Sequence, residues 1–277
     1  MSYIIQRIEQ NFRLTVLTAL LILVITVPVN AQLTMGAKHM AMGQTGVANP
    51  GDSWSVFQNP ALLETDINRV SFYGFRYLGI TEITDMAFSG NYNTPFGTFG
   101  AGLHRYGYDL FNENRMRLAY KNQLGNFHFG SSVTYTHVFQ GGNYGNAGAI
   151  GFDIGLGAEI IDELWLGARA TNINQPAYGA TDEELPRELA IGIGYRLSAF
   201  AFFTSEIVKD VRFPISYRAG LEFEIIESLF ARAGFTTEPE TYSAGFGYLT
   251  DSISINIAIQ QHIPLGISPA IDLGINF

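Results

Sequence analysis

The side chains best suited to chemistry in this chain are five histidines, and their spacing builds no recognisable site. His39, His104, His128, His137 and His262 are too scattered for the paired spacing with which a His-Glu-x-x-His helix binds zinc. Cysteine is absent, no Gly-x-Ser-x-Gly elbow occurs, and the Gly-x-Gly pairs fall inside predicted strands. The sequence therefore predicts no enzyme, no metal site and no cofactor, with His104 and His128 as polar fillers.

Composition narrows the class of protein. Charged residues make up 15% of the 277 residues and apolar residues 47%, whereas a soluble domain is roughly 25% charged. The 30 glycines, 14 tyrosines and 21 phenylalanines are typical of sheets whose backbones approach closely. The net charge of −9 excludes nucleic acid as a partner, because a phosphate backbone requires a basic surface. An all-β protein with one apolar surface is expected.

The first 31 residues have the organisation of a secretory signal peptide. Arg7 and Arg13 precede an apolar run over 14–27, and Val29 and Ala31 supply small residues before the cleavage point. The run is shorter than the ~20 apolar residues of a spanning helix, which favours cleavage over a retained anchor. The mature chain is expected to begin at Gln32.

From position 68 onward, apolar residues alternate with period two, as they do in strands. In 253–259, for example, four isoleucines alternate with Ser254, Asn256 and Ala258. The pattern predicts fourteen strands, at 69–78, 84–92, 98–106, 115–122, 127–139, 149–160, 164–173, 188–197, 200–208, 214–225, 229–236, 241–248, 253–260 and 269–277.

Two features favour a transmembrane barrel over a soluble sandwich. Connections after even-numbered strands are short, whereas those after odd-numbered strands are mostly longer, notably 107–114, 140–148, 174–187 and 261–268. One face of the strands is apolar, and the other is rich in glycine, which suits a crowded lumen. The charges on that second face are Asp153, Arg169, Arg196, Arg218, Glu222, Glu224 and Arg232. The predicted fold is all-β, a transmembrane antiparallel barrel of about fourteen strands.

The chain ends in an alternating apolar strand with a terminal aromatic, formed by Ile271, Leu273, Ile275 and Phe277. This ending resembles the C-terminal signal that the outer-membrane assembly machinery reads. Together with the signal peptide, it predicts a protein of the outer membrane of a Gram-negative-type bacterium. Outer-membrane lipid and the assembly machinery are the partners that this location implies.

Residues 32–67, between the signal peptide and the strands, do not alternate. A Gly-Ala pair, then Met-Gly, Val-Ala, an aspartate and Asn-Pro-Ala follow one another over 36–63. This order resembles the opening of the FadL and PorV/PorQ superfamily of fourteen-stranded outer-membrane barrels. The matching residues are Gly36, Ala37, Met42, Gly43, Val47, Ala48, Asp52, Asn59, Pro60, Ala61 and Leu63. The family has glycine after Asn-Pro-Ala, where this chain has Leu62.

The resemblance implies three parts: a signal peptide at 1–31, a short N-terminal plug at 32–67 and the barrel at 68–277. The plug motif would comprise Gly36, Met42, Gly43, Asp52, Asn59, Pro60 and Ala61. A barrel of this width leaves space that its own side chains cannot fill, and the methionines, Trp54 and Phe57 of the segment could occupy it. Proline should also hold Asn59 in an extended conformation and fix the turn.

Two functions follow from the resemblance, and both stay open at this stage. The FadL side implies a plugged conduit for small hydrophobic molecules, with a hydrophobic ligand as partner. Glycines at 97, 100, 102 and 107 would then either kink the third strand or make room for the plug. The PorV/PorQ side implies a non-conducting accessory barrel of a type IX protein secretion system, with secretion proteins as partners. A purely structural barrel is a third possibility.

Overall fold

The period-two pattern produces fourteen antiparallel strands that close into a barrel. The computed structural model describes residues 34–77, 82–142, 145–179, 183–263 and 266–277, so the predicted signal peptide at 1–31 lies outside the described residues. Each strand pairs with the next, and β1 pairs with β14. The fourteen predicted segments all correspond to strands, which confirms an all-β antiparallel barrel with that strand number. Among the described residues, no helix has the length and apolar character needed to cross a membrane.

Three short helical elements precede the barrel: helix α1 (Ala37–Ala41) and the 3-10 helices η1 (Ser53–Val56) and η2 (Pro60–Leu62). The strands are β1 (Arg69–Phe75), β2 (Thr84–Thr94), β3 (Gly97–Tyr108), β4 (Phe111–Leu124), β5 (Phe127–Gln140), β6 (Gly145–Ile161), β7 (Leu164–Ala170), β8 (Glu188–Ser198), β9 (Ala201–Asp210), β10 (Ile215–Ile226), β11 (Leu229–Thr237), β12 (Glu240–Leu249), β13 (Ile253–His262) and β14 (Gly266–Asn276).

The two ends of the barrel are distinguished by their connections. We call the end with the connections after even-numbered strands the turn end, and the opposite end the loop end. The alternation in length is weaker than predicted. β3 and β4 extend until only Asp109 and Leu110 separate them, so the predicted loop 107–114 is a tight turn. Polar residues such as Asn112 and Asn114 suggested a loop, but they belong to a strand because β5 continues to pair with them.

The predicted loops at 140–148 and 261–268 shorten in the same way, because β6 begins at Gly145 and β14 at Gly266. In contrast, β7 ends at Ala170 instead of continuing to 173, so the longest connection spans 171–187. The side chain of Asn174 lies along β6 there, accepting from Phe152 N at 2.9 Å and donating to Ile150 O at 2.8 Å. These bonds substitute for the strand pairing that β7 no longer provides.

Candidate functional site

The outer face of the barrel is apolar along the strands. Leu118 is 64% exposed, Phe152 48% and Ile257 49%, and each side chain points away from the lumen. A soluble protein rarely exposes a contiguous apolar surface of this kind. Such a belt is typical of strands that face membrane hydrocarbon.

The lumen is occupied by residues 34–63, which we call the N-terminal segment. Helix α1 packs against β11–β14, η1 against β1–β4 and η2 against β4–β6. The large side chains of this segment are buried, including Met40, Trp54 and Leu62. The segment therefore contacts nearly the whole circumference of the wall from within.

Local sequence explains the shape of this segment. Asp52 caps η1 by accepting a hydrogen bond from Trp54 N at 3.0 Å. Asn59 is extended (φ −129°, ψ 106°), as proline at the next position requires, and its Oδ1 accepts from Ala61 N at 3.1 Å. Asn59 Nδ2 also donates to Leu156 O of the wall at 3.0 Å. The Asn-Pro-Ala turn is thus both closed on itself and attached to β6.

Glycines on the luminal face let the segment approach the strands. A Cβ on Gly102 would lie only 2.5 Å from Cζ of Phe57, so any larger residue would displace that ring. Other wall glycines that meet the segment are Gly100, Gly130, Gly155, Gly157, Gly167, Gly194, Gly220, Gly234 and Gly245. These positions account for the glycine-rich face seen in the sequence.

This geometry bears on the glycines of the third strand, β3. β3 pairs with β2 and β4 without a register shift. Gly100 and Gly102 face Leu63 and Phe57 of the N-terminal segment. Of the two interpretations, room for the segment is the one that the structure supports.

Cationic side chains of the wall donate to backbone carbonyls of the segment. Lys121 Nζ donates to Leu63 O at 2.7 Å, and Arg169 Nη1 donates to Gln58 O at 2.9 Å. Arg117 Nη1 lies 3.2 Å from Val56 O. These carbonyls lie in irregular backbone without a ladder partner, and a buried carbonyl without a hydrogen bond is costly. The cations supply the missing partners.

Carboxylates of the wall accept hydrogen bonds from backbone amides of the segment. Glu206 Oε2 accepts from Gly46 N and Val47 N, each at 3.0 Å. Asp272 Oδ2 accepts from Ala37 N at 2.6 Å, at the start of α1. An acidic group at this position satisfies amides that a helix start leaves without an intrahelical partner.

Most of these wall charges are also paired with one another. Arg117 Nη2 lies 2.9 Å from Asp153 Oδ2, and Arg169 Nη2 lies 2.8 Å from Glu188 Oε2. Buried charges require such compensation. Two of the charged residues predicted for the lumen differ: Arg196 lies near the turn end and is exposed, and Glu224 Oε1 accepts from Ser228 N at 3.3 Å.

A contact between a histidine and an aspartate joins the two halves of the segment. His39 Nδ1 lies 2.7 Å from Thr45 O, and its Nε2 lies 3.4 Å from Asp52 Oδ2. Both ring nitrogens therefore face oxygen atoms. Burial alone would raise the pKa of the Asp52 carboxyl, but its hydrogen bond to His39 and the charges of His39, Lys38 and Arg69 hold that pKa well below its usual range.

The luminal side of β1–β3 carries a group of aromatic side chains beside the Asp85 carboxylate. Phe75 and Tyr77 pack edge to face with ring centroids 4.5 Å apart, and Tyr77 lies 6.4 Å from Tyr106. Burial, with the nearby Asp85 carboxylate and Tyr106, raises the pKa of the Tyr77 hydroxyl, so it stays neutral. Tyr73 is fully buried beneath this group. An apolar surface with neutral hydroxyls is suited to contact with an apolar molecule.

The residues of the suggested plug motif are spread through the N-terminal segment. Trp54 packs on Gly36, and Met42 and Gly43 approach the backbones of β10 and β11. Leu62 is buried against Gly157 of β6. The role of these residues as a motif stays a prediction.

The C-terminal residues Ile271, Leu273, Ile275 and Phe277 are 43%, 45%, 58% and 66% exposed. Their side chains face outward from β14, which pairs with β1 and β13. This arrangement belongs to the apolar belt. The role of the four residues as an assembly signal is likewise a prediction.

Sequence reasoning missed two groups of luminal residues. It singled out neither the wall contacts of Lys121, Glu206 and Asp272 nor the aromatic side of β1–β3. One signal was available for the latter: in β1 the luminal phase carries Tyr73 and Phe75, whereas most luminal phases carry small or polar residues. Among the described residues, no group of three His, Cys, Asp or Glu side chains is arranged to hold a metal ion.

The architecture is that of a closed membrane-type barrel with an occupied lumen, and solved structures share this fold. CymD, described as a monoaromatic hydrocarbon channel, is 13% identical, with a TM-score of 0.67 over 88% of this chain and 98% of that chain. TodX, the Pseudomonas putida toluene transporter, is 15% identical, with a TM-score of 0.63 over 90% and 99%.

A FadL homologue of Pseudomonas aeruginosa is 11% identical, with a TM-score of 0.58 over 90% of this chain and 98% of that chain. At these identities the likeness shows the fold. No family model matches the chain, and no curated protein matches it.

Proposed function

We propose that this protein is an outer-membrane conduit for small hydrophobic molecules, with the N-terminal segment as the plug of its lumen. The observation that carries the proposal is the combination of an apolar outer belt with a lumen filled by residues 34–63. A filled lumen suits selective passage better than free diffusion of water and ions.

The contents of the lumen support an apolar ligand. The aromatic side formed by Phe75, Tyr77 and Tyr106 offers ring faces and edges, on which apolar and aromatic molecules pack well. The charged side is occupied by its own ion pairs and by bonds to the segment. Little charge is thus left to attract an ionic substrate.

The fold adds a second line of support. CymD is described as a monoaromatic hydrocarbon channel and TodX as a toluene transporter. We carry the general class of substrate, a small hydrophobic molecule, to this chain as part of the proposal. The proposal assigns the chain no enzymatic activity.

The alternative, an accessory barrel of a protein secretion system similar to PorV/PorQ, needs outer surface on which a cargo protein can bind. β3–β4 and β11–β12 are joined at the loop end by only Asp109–Leu110 and Glu238–Pro239. Among the described connections, 171–187 alone is extensive. We therefore favour the conduit.

The proposal includes export and assembly. We propose that residues 1–31 are removed, that 32–67 act as one plug unit and that the strand ending in Phe277 is read by the assembly machinery. Mass spectrometry of envelope-purified protein should give a mature chain that starts at Gln32. Retention of the first 31 residues would contradict the export step.

Transport can be tested by uptake in cells with few porins of their own. Expression of the chain should increase the entry rate of toluene severalfold and leave entry of a charged β-lactam unchanged. A variant lacking residues 36–63 serves as the selectivity control, because an emptied lumen should admit both solutes. If the wild-type chain accelerates neither solute, it is not a conduit; if it accelerates both, it is an open pore.

A further inference from the structure

The outward-facing positions of the strands carry very little charge. Among the strand residues that the structure describes, the charged side chains at these positions are Arg105 on β3, Lys209 on β9 and Glu240 on β12. All three lie toward the loop end of their strands. Charges on the lipid side of a barrel are tolerated near the interface and are costly at the midplane. The three residues therefore mark the level at which the wall leaves the hydrocarbon.

Arg105 differs from the other two because its charge has no partner. Lys209 Nζ donates to Phe213 O, and Glu240 Oε1 accepts from Tyr242 Oη at 2.9 Å. The exposed Arg105 guanidinium forms no ion pair or hydrogen bond with any described residue. The outward-facing positions of β1–β6 also carry no acidic side chain. A guanidinium keeps its charge in proteins, so the wall presents a permanent cation that nothing in the described chain neutralises.

The strand register places two further hydrogen-bond donors beside this cation. Arg105 pairs with Asn114 of β4, and Asn114 pairs with His137 of β5. Side chains directly opposite each other have Cβ atoms about 4.5–5.5 Å apart. Asn114 Nδ2 donates to Asn112 Oδ1 at 2.8 Å, which uses one of its two hydrogens, and a neutral imidazole also carries one N–H donor. We call Arg105, Asn114 and His137 the Arg105 row.

The next outward-facing row toward the turn end is apolar and aromatic. Phe88 pairs with Leu103, Leu103 with Met116, and Met116 with Tyr135. Leu103 and Met116 are 49% and 57% exposed. The two rows are two residues apart along each strand, which is about 7 Å. A surface that changes over this distance from apolar to anion-binding matches a lipid, with acyl chains on one row and an anionic headgroup on the other.

We propose that the Arg105 row binds the phosphate of a phosphorylated glycolipid of the outer leaflet, lipid A in chemical class. This inference rests on the proposed function, which places the barrel in the outer membrane, with the longer connections of the loop end outward as is usual for such barrels. Arginine binds phosphate oxygens through two parallel hydrogen bonds. A phosphate monoester carries a charge of about −1.5 to −2 at neutral pH, whereas the diester of an ordinary phospholipid carries a single charge. The monoester should therefore be preferred.

The test measures lipid binding to the full mature chain in detergent by native mass spectrometry. Three lipids are compared: diphosphoryl lipid A, the same lipid with its phosphates removed, and phosphatidylglycerol. Arg105→Gln removes the charge and keeps a polar side chain. Lys209→Gln is the matched control, because it removes an outward-facing charge at the same end of the barrel on a distant strand.

Arg105→Gln should weaken the binding of lipid A about tenfold, weaken phosphatidylglycerol by less and leave the dephosphorylated lipid unchanged. Lys209→Gln should bind lipid A as the wild type does. Equal affinity of wild type and Arg105→Gln for lipid A, or an equal loss in both variants, overturns the proposal. An equal loss for lipid A and phosphatidylglycerol also overturns it, since the row would then attract any anionic lipid.

The toluene uptake assay separates this result from the proposed function. Arg105 faces away from the lumen, so Arg105→Gln should retain toluene uptake. If the wild-type chain transports no toluene but loses lipid A binding with Arg105→Gln, the conduit is wrong and the lipid site stands. If uptake is intact and the variant binds lipid A normally, the conduit stands and the lipid site is wrong.

Discussion

The two sides of the lumen hold the N-terminal segment by different means. On β4–β9, Arg117, Lys121 and Arg169 donate to its carbonyls and Glu206 accepts from its amides. On β1–β3 the contacts are made by rings and small residues, as where Tyr73 packs on Trp54. The difference reflects what the segment presents to each side: backbone polar groups toward the first, aromatic side chains toward the second.

The comparison shows how irregular backbone can be buried inside a barrel. Carbonyls and amides that lack a ladder partner must be satisfied by the wall, which makes the charged side specific to one position of the segment. Ring contacts are less directional, so the aromatic side can exchange one apolar neighbour for another. We infer that the charged side fixes the segment and the aromatic side is where a ligand can be received.

Deleting residues 36–63 abolishes the contacts on both sides of the lumen and should have a larger effect than any single substitution. The deletion removes what both sides hold and leaves a lumen lined by glycine, serine and charged side chains. Wild-type protein in a planar bilayer should conduct ions poorly, and the deletion should raise conductance severalfold. The double variant Asn59→Ala with Pro60→Ala should give intermediate, flickering openings, because the segment remains but its turn loses the bonds of Asn59. Large steady conductance in the wild type would show that the segment is not a plug.

The charged side alone can be weakened by Asp153→Ala. This change leaves the buried Arg117 guanidinium without its carboxylate and removes an acceptor from Ser132. Breaking a buried pair in this way should lower the free energy of unfolding by about 3–5 kcal/mol. Asp210→Ala is the matched control, since its partner Arg212 is 48% exposed at the rim, and it should cost ~1 kcal/mol. Urea unfolding in lipid vesicles measures both, and equal losses would contradict the assigned role of Asp153.

Much of this architecture was accessible from sequence, because a barrel has one dominant pattern. The isoleucines of 253–259 face the outside of the barrel, and such alternation predicts the number of strands and the direction in which their side chains point. Strand ends were harder: Asn112 and Asn114 are as polar as a loop, yet they pair with β5. At the loop end of β4, residues 112–115 are polar on both faces, so the alternation that identifies strands is lost there.

The luminal contacts could not be predicted in the same way. Lys121, Glu206 and Asp272 lie far along the chain from the residues to which they are hydrogen-bonded, and their local sequence does not indicate those partners. The capping interactions of Asp52 and Asn59 are easier to predict, because each side chain accepts from a backbone amide only two residues further along the chain. Local rules thus predict turns inside the segment, whereas its placement depends on distant strands.

A smaller effect concerns the pair that joins the halves of the segment, His39 and Asp52. Because the pKa of Asp52 is held below its usual range, its stabilising contribution is complete above about pH 4, the ordinary aspartate pKa, and is lost progressively as the pH falls below that value. Asp52→Asn keeps an acceptor for Trp54 N but removes the charge. The difference in unfolding free energy between wild type and this variant should therefore be larger at pH 7 than at pH 3. Asp66→Asn, at an exposed site, is the control, and a difference independent of pH would contradict the role of the charge.

The smallest effect should come from the aromatic side, with Tyr73→Phe. Removing a hydroxyl usually costs stability because a hydrogen bond is lost, but Tyr73 Oη has no partner in the folded protein. Burial of this hydroxyl costs free energy that no hydrogen bond offsets. The free energy of unfolding of the variant should therefore lie within about 0.5 kcal/mol of the wild-type value or exceed it by up to ~1 kcal/mol. Tyr120→Phe is the matched control, since Tyr120 Oη donates to Phe96 O at 2.6 Å, and it should cost about 1 kcal/mol. If Tyr73→Phe destabilises the ligand-free protein as much as Tyr120→Phe does, the hydroxyl already has a partner and the aromatic side is as fixed as the charged one.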